Sequence, residues 1–121
     1  MAVFTKEFLT QSVNGRAITV TATTTAAPNL IHTTQSLSTV TDEIWLYAAN
    51  ISNQDTYLTL YWGSSASSDI IFITNIEAYA GSILIIPGLI LRGDGSIGSQ
   101  IFATATIASA IDVLGYINRI T

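Results

Sequence analysis

Apolar residues in this chain never recur at helical spacing over a useful length; they come in short, β-branched runs, each stopped by a turn signal. The stretch from Ala80 to Ile107 shows this most clearly. Ile83–Ile86 is a continuous apolar run, too short for a stable helix, and Pro87-Gly88 follows it. Proline presets φ and glycine accepts a positive φ, so the pair predicts a tight turn. Leu89–Arg92 is a second short run, closed by a loop containing Gly93, Gly95 and Gly98. Ile101, Ala103, Ala105 and Ile107 then alternate with Phe102, Thr104 and Thr106, the period of a strand.

The same grammar holds elsewhere. Arg16–Ala26 sets Ile18, Val20 and Ala22 against Thr19, Thr21 and Thr23, a strand with a hydroxyl face, and Ala27-Pro28-Asn29 ends it. Leu30–Thr34 is a short strand. Asp42–Ser52 and Thr56–Trp62 read as a hairpin joined through Asn53-Gln54-Asp55. Gly63–Ser68 reads as a flexible loop, and Asp69–Ile76 and Ile111–Ile120 as further strands. The pattern predicts an all-β chain, a two-layer antiparallel β-sandwich of Ig-like or jelly-roll-like form over residues 16–121. Residues 1–15 are expected to form an extended N-terminal arm or edge strand. As an arm it would dock on a neighbour through Phe4, Phe8 and Leu9, and the domain would fold without residues 2–12.

Charge narrows the functions open to such a sandwich. Only 10% of the residues are charged, against about 25% in soluble domains, which predicts that other protein covers part of the surface. A net charge of −4 with four cationic side chains argues against binding a nucleic-acid backbone. With no cysteine there is no thiolate nucleophile, disulfide or cysteine-based zinc site. Neither a signal peptide nor a membrane-spanning apolar block is visible.

The chemical motifs resolve into structural readings. His32 is the only histidine, so it reads as a structural residue with a tuned hydrogen bond. Asp42 and Glu43 are adjacent, which on a strand turns them to opposite faces; a solvated strand entry accounts for them better than an acid/base pair. Gly93-Asp94-Gly95 with Asp69 supplies too few oxygens for a calcium site. Arg92-Gly93-Asp94 spells an integrin-type tripeptide but falls at a strand end, and Asn50-Ile51-Ser52 is a glycosylation sequon that matters only on export. No catalytic, cofactor or metal residue is assigned.

Aromatic residues are a stronger signal. Trp45, Tyr47, Tyr57, Tyr61 and Trp62 crowd two neighbouring strands, and such groups serve core and subunit interfaces more often than sugar stacking. Strands 43–51, 69–76 and 111–120 are apolar on both faces, whereas the outward face of a sandwich should be polar. The expected interface therefore comprises Phe4, Phe8, Leu9, Trp45, Tyr47, Tyr57 and Tyr61, in a homo-oligomer.

Three stretches resemble a family of small virion structural proteins of tailed bacteriophages that includes head decoration, or cement, proteins. They are Asn29-Leu-Ile-His-Thr-Thr34; Asp42-Glu-Ile-Trp-Leu-Tyr-Ala-Ala-Asn-Ile-Ser52 with Leu58-Thr-Leu-Tyr-Trp-Gly63; and Ile85-Ile-Pro-Gly-Leu-Ile-Leu91 with the ending Gly115-Tyr-Ile-Asn-Arg-Ile120. The resemblance spans roughly residues 17 to 120. It implies a non-enzymatic protein made in the host cytoplasm that sits on the capsid surface and bridges major capsid protein subunits, as a trimer rather than a dimer. A tail-associated or fibre-adaptor subunit and a carbohydrate-binding module are the alternatives.

Overall fold

The computed structural model describes residues 2–121. Their strands are β1 (Phe4–Phe8), β2 (Ile18–Val20), β3 (Asn29–Thr33), β4 (Thr41–Asn50), β5 (Thr56–Gly63), β6 (Ile70–Ile76), β7 (Ile83–Leu91), β8 (Gln100–Ala105) and β9 (Ile111–Ile120). A front sheet runs β1-β9-β4-β7, and a back sheet runs β3-β8-β5-β6. Because β4 pairs with β9 from Thr41↔Ile120 to Asn50↔Ile111, β1 and β2 must share the other edge of β9. All pairings are antiparallel, and they are nested: β5 with β6, β4 with β7, β3 with β8, β2 with β9. A long hairpin rolled into two packed sheets in this way is a jelly roll, which decides between the two forms of sandwich.

The rolled topology corrects the expected hairpin at Asp42–Trp62. β4 lies in the front sheet and β5 in the back sheet. Both edges of β4 are taken by β9 and β7, so the chain crosses between layers after Asn50. The Asn50 side chain holds that crossing. Its Nδ2 donates to the Gln54 and Ile76 carbonyls at 2.8 and 2.9 Å, and its Oδ1 accepts the Ser52 N–H at 2.9 Å. Buried and fully engaged, Asn50 is closed to glycosylation in the folded chain.

Pro87-Gly88 is likewise no turn. β7 continues through it from Ile83 to Leu91. β7 is an edge strand, where a missing N–H need not break the ladder, and its register against β4 shifts on either side of the Trp45↔Pro87 pair. The extra residues that a turn would have required are absorbed as bulges.

The N-terminal segment is the edge strand of the two alternatives. β1 pairs with β9 of its own chain from Phe4↔Ile120 to Phe8↔Tyr116. Leu9 is 1% exposed and belongs to the core. Met1, the first residue of the expected arm, lies outside the described residues.

Between the sheets lies one apolar core. Ile44, Leu46 and Ala48 of β4 and Val113 and Ile117 of β9 meet Leu58 and Leu60 of β5 and Ile101 and Ala103 of β8. The strand period places every one of these on the inward side. Gly63–Ser68, read as a flexible loop, is ordered locally by a short 3-10 turn at Ser67–Asp69, which delays the next strand to Ile70, and by a hydrogen bond from the Ser64 hydroxyl to the Asp69 carboxylate.

One charged group penetrates this core. Asp42 is 0% exposed, as is His32 on β3 of the opposite sheet. Arg119 of β9 grips the Asp42 carboxylate through Nε at 2.8 Å and Nη2 at 3.0 Å. His32 Nδ1 accepts the Thr10 backbone N–H at 3.1 Å, so the ring proton sits on Nε2 and is donated to Asp42 Oδ2 at 2.8 Å. Burial pushes the Asp42 carboxyl up; the hydrogen bonds from His32 and Arg119 and the guanidinium charge outweigh it and hold it below the usual carboxylate range. Asp42 is thus no solvated strand entry but the tie between the two sheets and, through His32, the chain just after β1.

A carboxylate with a depressed folded-state pKa stabilises above its ordinary value of about 4 and loses that contribution as pH falls through the folded value. Asp42→Asn should cost about 3 kcal/mol at neutral pH, since it leaves Arg119 unpaired against the core. Urea unfolding at pH 7 and at pH 2.5 checks this: the gap between variant and parent should narrow at the lower pH.

Candidate functional site

The outer face of the front sheet is built from the side chains that alternate away from the core. Strand register assembles them into rows. Phe8, Tyr116, Trp45 and Pro87 form one row across β1, β9, β4 and β7, and Lys6, Asn118, Glu43 and Ile90 form the next. Leu114, Tyr47 and Leu84 form a third on the other side of the aromatic row. Phe8 and Ile90 are each 62% exposed at opposite margins of the face.

The centre of this face is held rigidly. Trp45 and Tyr116 stack with centroids 6.3 Å apart and planes 14° apart, and Lys6 Nζ lies 4.6 Å from the Tyr116 ring centroid. Trp45 Nε1 donates to Glu43 Oε1 at 2.8 Å, and Asn118 Nδ2 donates to the same oxygen at 2.9 Å. These bonds, Asn118 first and Trp45 second, hold the Glu43 carboxyl below its usual range. On its other side Trp45 packs over Gly88, whose φ is +79°; a Cβ there would come within 2.8 Å of the indole. Only glycine satisfies both the backbone and the ring. Beside the stack, Lys6, Glu7, Phe8, Gly15, Gly115 and Tyr116 line an open groove of about 470 Å³.

Of the residues expected at an interface, Phe4, Phe8, Trp45 and Tyr47 come together on this face. Tyr57 is exposed but stands on the back sheet. Leu9 and Tyr61 are corrected: both are buried in their own chain. Tyr61 follows a register shift between Leu60 and Tyr61, and its hydroxyl is buried without a hydrogen-bond partner. Tyr116, Leu114, Ile90 and the Glu43–Asn118 pair escaped the sequence reading, because strand alternation gives their side but not which strands lie alongside.

The motifs weighed for other chemistry are occupied internally. Asp42 and Glu43 point to opposite faces of β4, as alternation requires. Both ring nitrogens of His32 are engaged inside the core. Arg92 donates from Nη1 to the Ser38 carbonyl at 3.0 Å, and Asp94 accepts the Ser96 and Ile97 N–H groups. Those two backbone bonds, with that from Ile97 the larger effect, hold the Asp94 carboxyl low. Among the described residues no group of three or more histidine or acidic side chains is placed to hold a metal ion. Comparisons with protein-family models, with curated proteins and with solved structures find no match.

Gly88→Ala tests whether the central stack is rigid. The strained φ should cost on the order of 1–3 kcal/mol, and the indole should be displaced toward water. In a Trp62→Phe background, Trp45 emission should shift to the red; unchanged emission would mean that Gly88 does not position the ring.

Proposed function

We propose that this chain is a non-enzymatic structural subunit of a phage virion, a capsid decoration or cement protein that seats the outer face of its front sheet on neighbouring protein. The observation that carries the reading is that face itself. A sandwich surface left in water should be polar, yet Phe4, Phe8, Leu84 and Ile90 stand exposed around a locked Trp45–Tyr116 centre. Rigid aromatic residues ringed by apolar side chains are the usual anchors of a protein interface, since little side-chain entropy is lost on docking. The sequence resemblance supplies the setting, and jelly rolls serve as capsid domains among other roles. The neighbour is the major capsid protein, a second copy of this chain in a trimer, or both.

A carbohydrate-binding module on a tail is the second reading. Glu43, Asn118 and Lys6 set polar groups beside the stacked rings, an arrangement that suits a sugar as well as a peptide.

Phe8→Lys and Ile90→Lys distinguish these readings. Both side chains are exposed, so stability should change by no more than about 0.5 kcal/mol. Copy number in purified particles should be hundreds for the parent and fall sharply for either variant. Unchanged incorporation would remove the front face from the interface, and a few copies per particle with glycan binding would favour the tail module.

A further inference from the structure

The strand edges of this sandwich are guarded unequally. β7 carries Pro87 and two register shifts, β1 is short and carries Lys6 and Glu7, and β3 is interrupted by a shift between Leu30 and His32. These are the devices by which proteins blunt open edges. β6 carries one register shift at its start, where Ile71 is the extra residue between the Leu60↔Phe72 and Tyr61↔Ile70 pairs; from Phe72 to Ile76 it has none of these devices. Ile70-Ile-Phe-Ile-Thr-Asn-Ile76 is uncharged and proline-free, and it ends the back sheet with β5 as its only strand partner. From Ile71 to Asn75, the backbone groups turned away from β5 have no hydrogen-bond partner among the described residues.

A cleft of about 280 Å³ runs beside this edge, between β6 and the free edge of β7, lined by Phe72, Thr74, Ile83, Leu84 and Ile85. An extended chain laid against β6 would complete its ladder and drop alternate side chains into that apolar cleft. Charge specifies what kind of chain. Asp69 and Glu77 flank β6, and Asp55 lies at the same end of β5 as Glu77. The four cationic side chains of the sequence, Lys6, Arg16, Arg92 and Arg119, all sit on front-sheet strands or next to them. A second copy is a poor occupant: antiparallel pairing of two β6 strands about Ile73 would set Asp69 of each against Glu77 of the other.

We propose that the β6 edge is a strand-addition site for an extended segment of a partner protein, apolar at alternate positions and basic at its ends. The site is separate from the front face, so it holds whether or not the front face is an interface. If both are occupied, one molecule joins two neighbours from opposite layers of its sandwich.

Two synthetic nonapeptides test the proposal, Lys-Val-Thr-Val-Thr-Val-Thr-Val-Lys and the same sequence with glutamate at both ends, titrated into isotope-labelled protein. The lysine-flanked peptide should shift and protect the Ile71–Asn75 amides at millimolar concentration or below. It should bind about fivefold or more tighter than the glutamate-flanked peptide at low salt. Ile73→Lys, on an exposed position, should leave the fold intact and abolish the response. The proposal is overturned if neither peptide perturbs β6, if the two bind equally, or if β6 amides become protected with rising concentration of the protein alone.

Discussion

The Asp42 carboxylate is the charge around which the two sheets are held in register. A lone buried carboxylate would be expelled or protonated; this one is retained because Arg119 on the adjacent strand and His32 on the opposite sheet both donate to it. Each donor is fixed in turn. Arg119 lies in the register set by Asp42↔Arg119, and the His32 tautomer is set by the Thr10 N–H. One ion pair therefore couples β3, β4, β9 and the chain just after β1. Buried ion pairs add little net stability over apolar packing, but removal of any one of these partners would leave the others uncompensated.

That alignment has a consequence on the other side of the front sheet. Once Asp42, Ile44, Leu46 and Ala48 face inward, strand alternation sends Glu43, Trp45 and Tyr47 outward. The sheet cannot hide both sets in one small sandwich. Glu43 accepts from Trp45 and Asn118, and Gly88 leaves room for the indole, so the outward set is ordered before anything docks. An ordered apolar surface in a chain with so few charges is the feature on which the proposed interface rests.

Much of the fold is legible in the sequence because strand alternation is a local property. The sides of β4, β8 and β9 follow directly from Ile44/Trp45, Ile101/Phe102 and Ile117/Tyr116. What is not local is not legible. Asn50 crosses the layers where a hairpin was expected, because pairing is decided by which edges are already taken. Pro87-Gly88 stays within a strand because β7 is an edge, and an edge cannot be recognised without the strand order. Leu9 and Tyr61 looked available for an interface from position and residue type; tertiary packing buries them. The Asp42–His32–Arg119 tie joins residues too far apart in sequence for any spacing rule to find. The outer face was half visible, through Phe4, Phe8, Trp45 and Tyr47, while its β9 and β7 members needed the register.

Hydroxyl-radical footprinting of the protein, free and dilute against incorporated in the proposed particle, tests most directly whether the front face is covered. Oxidation of Phe8, Trp45, Tyr116 and Ile90 should fall strongly on incorporation, while Tyr79, which is exposed near the start of β7, stays labelled as a reference. Equal labelling of the front-face residues in the two states would contradict the account.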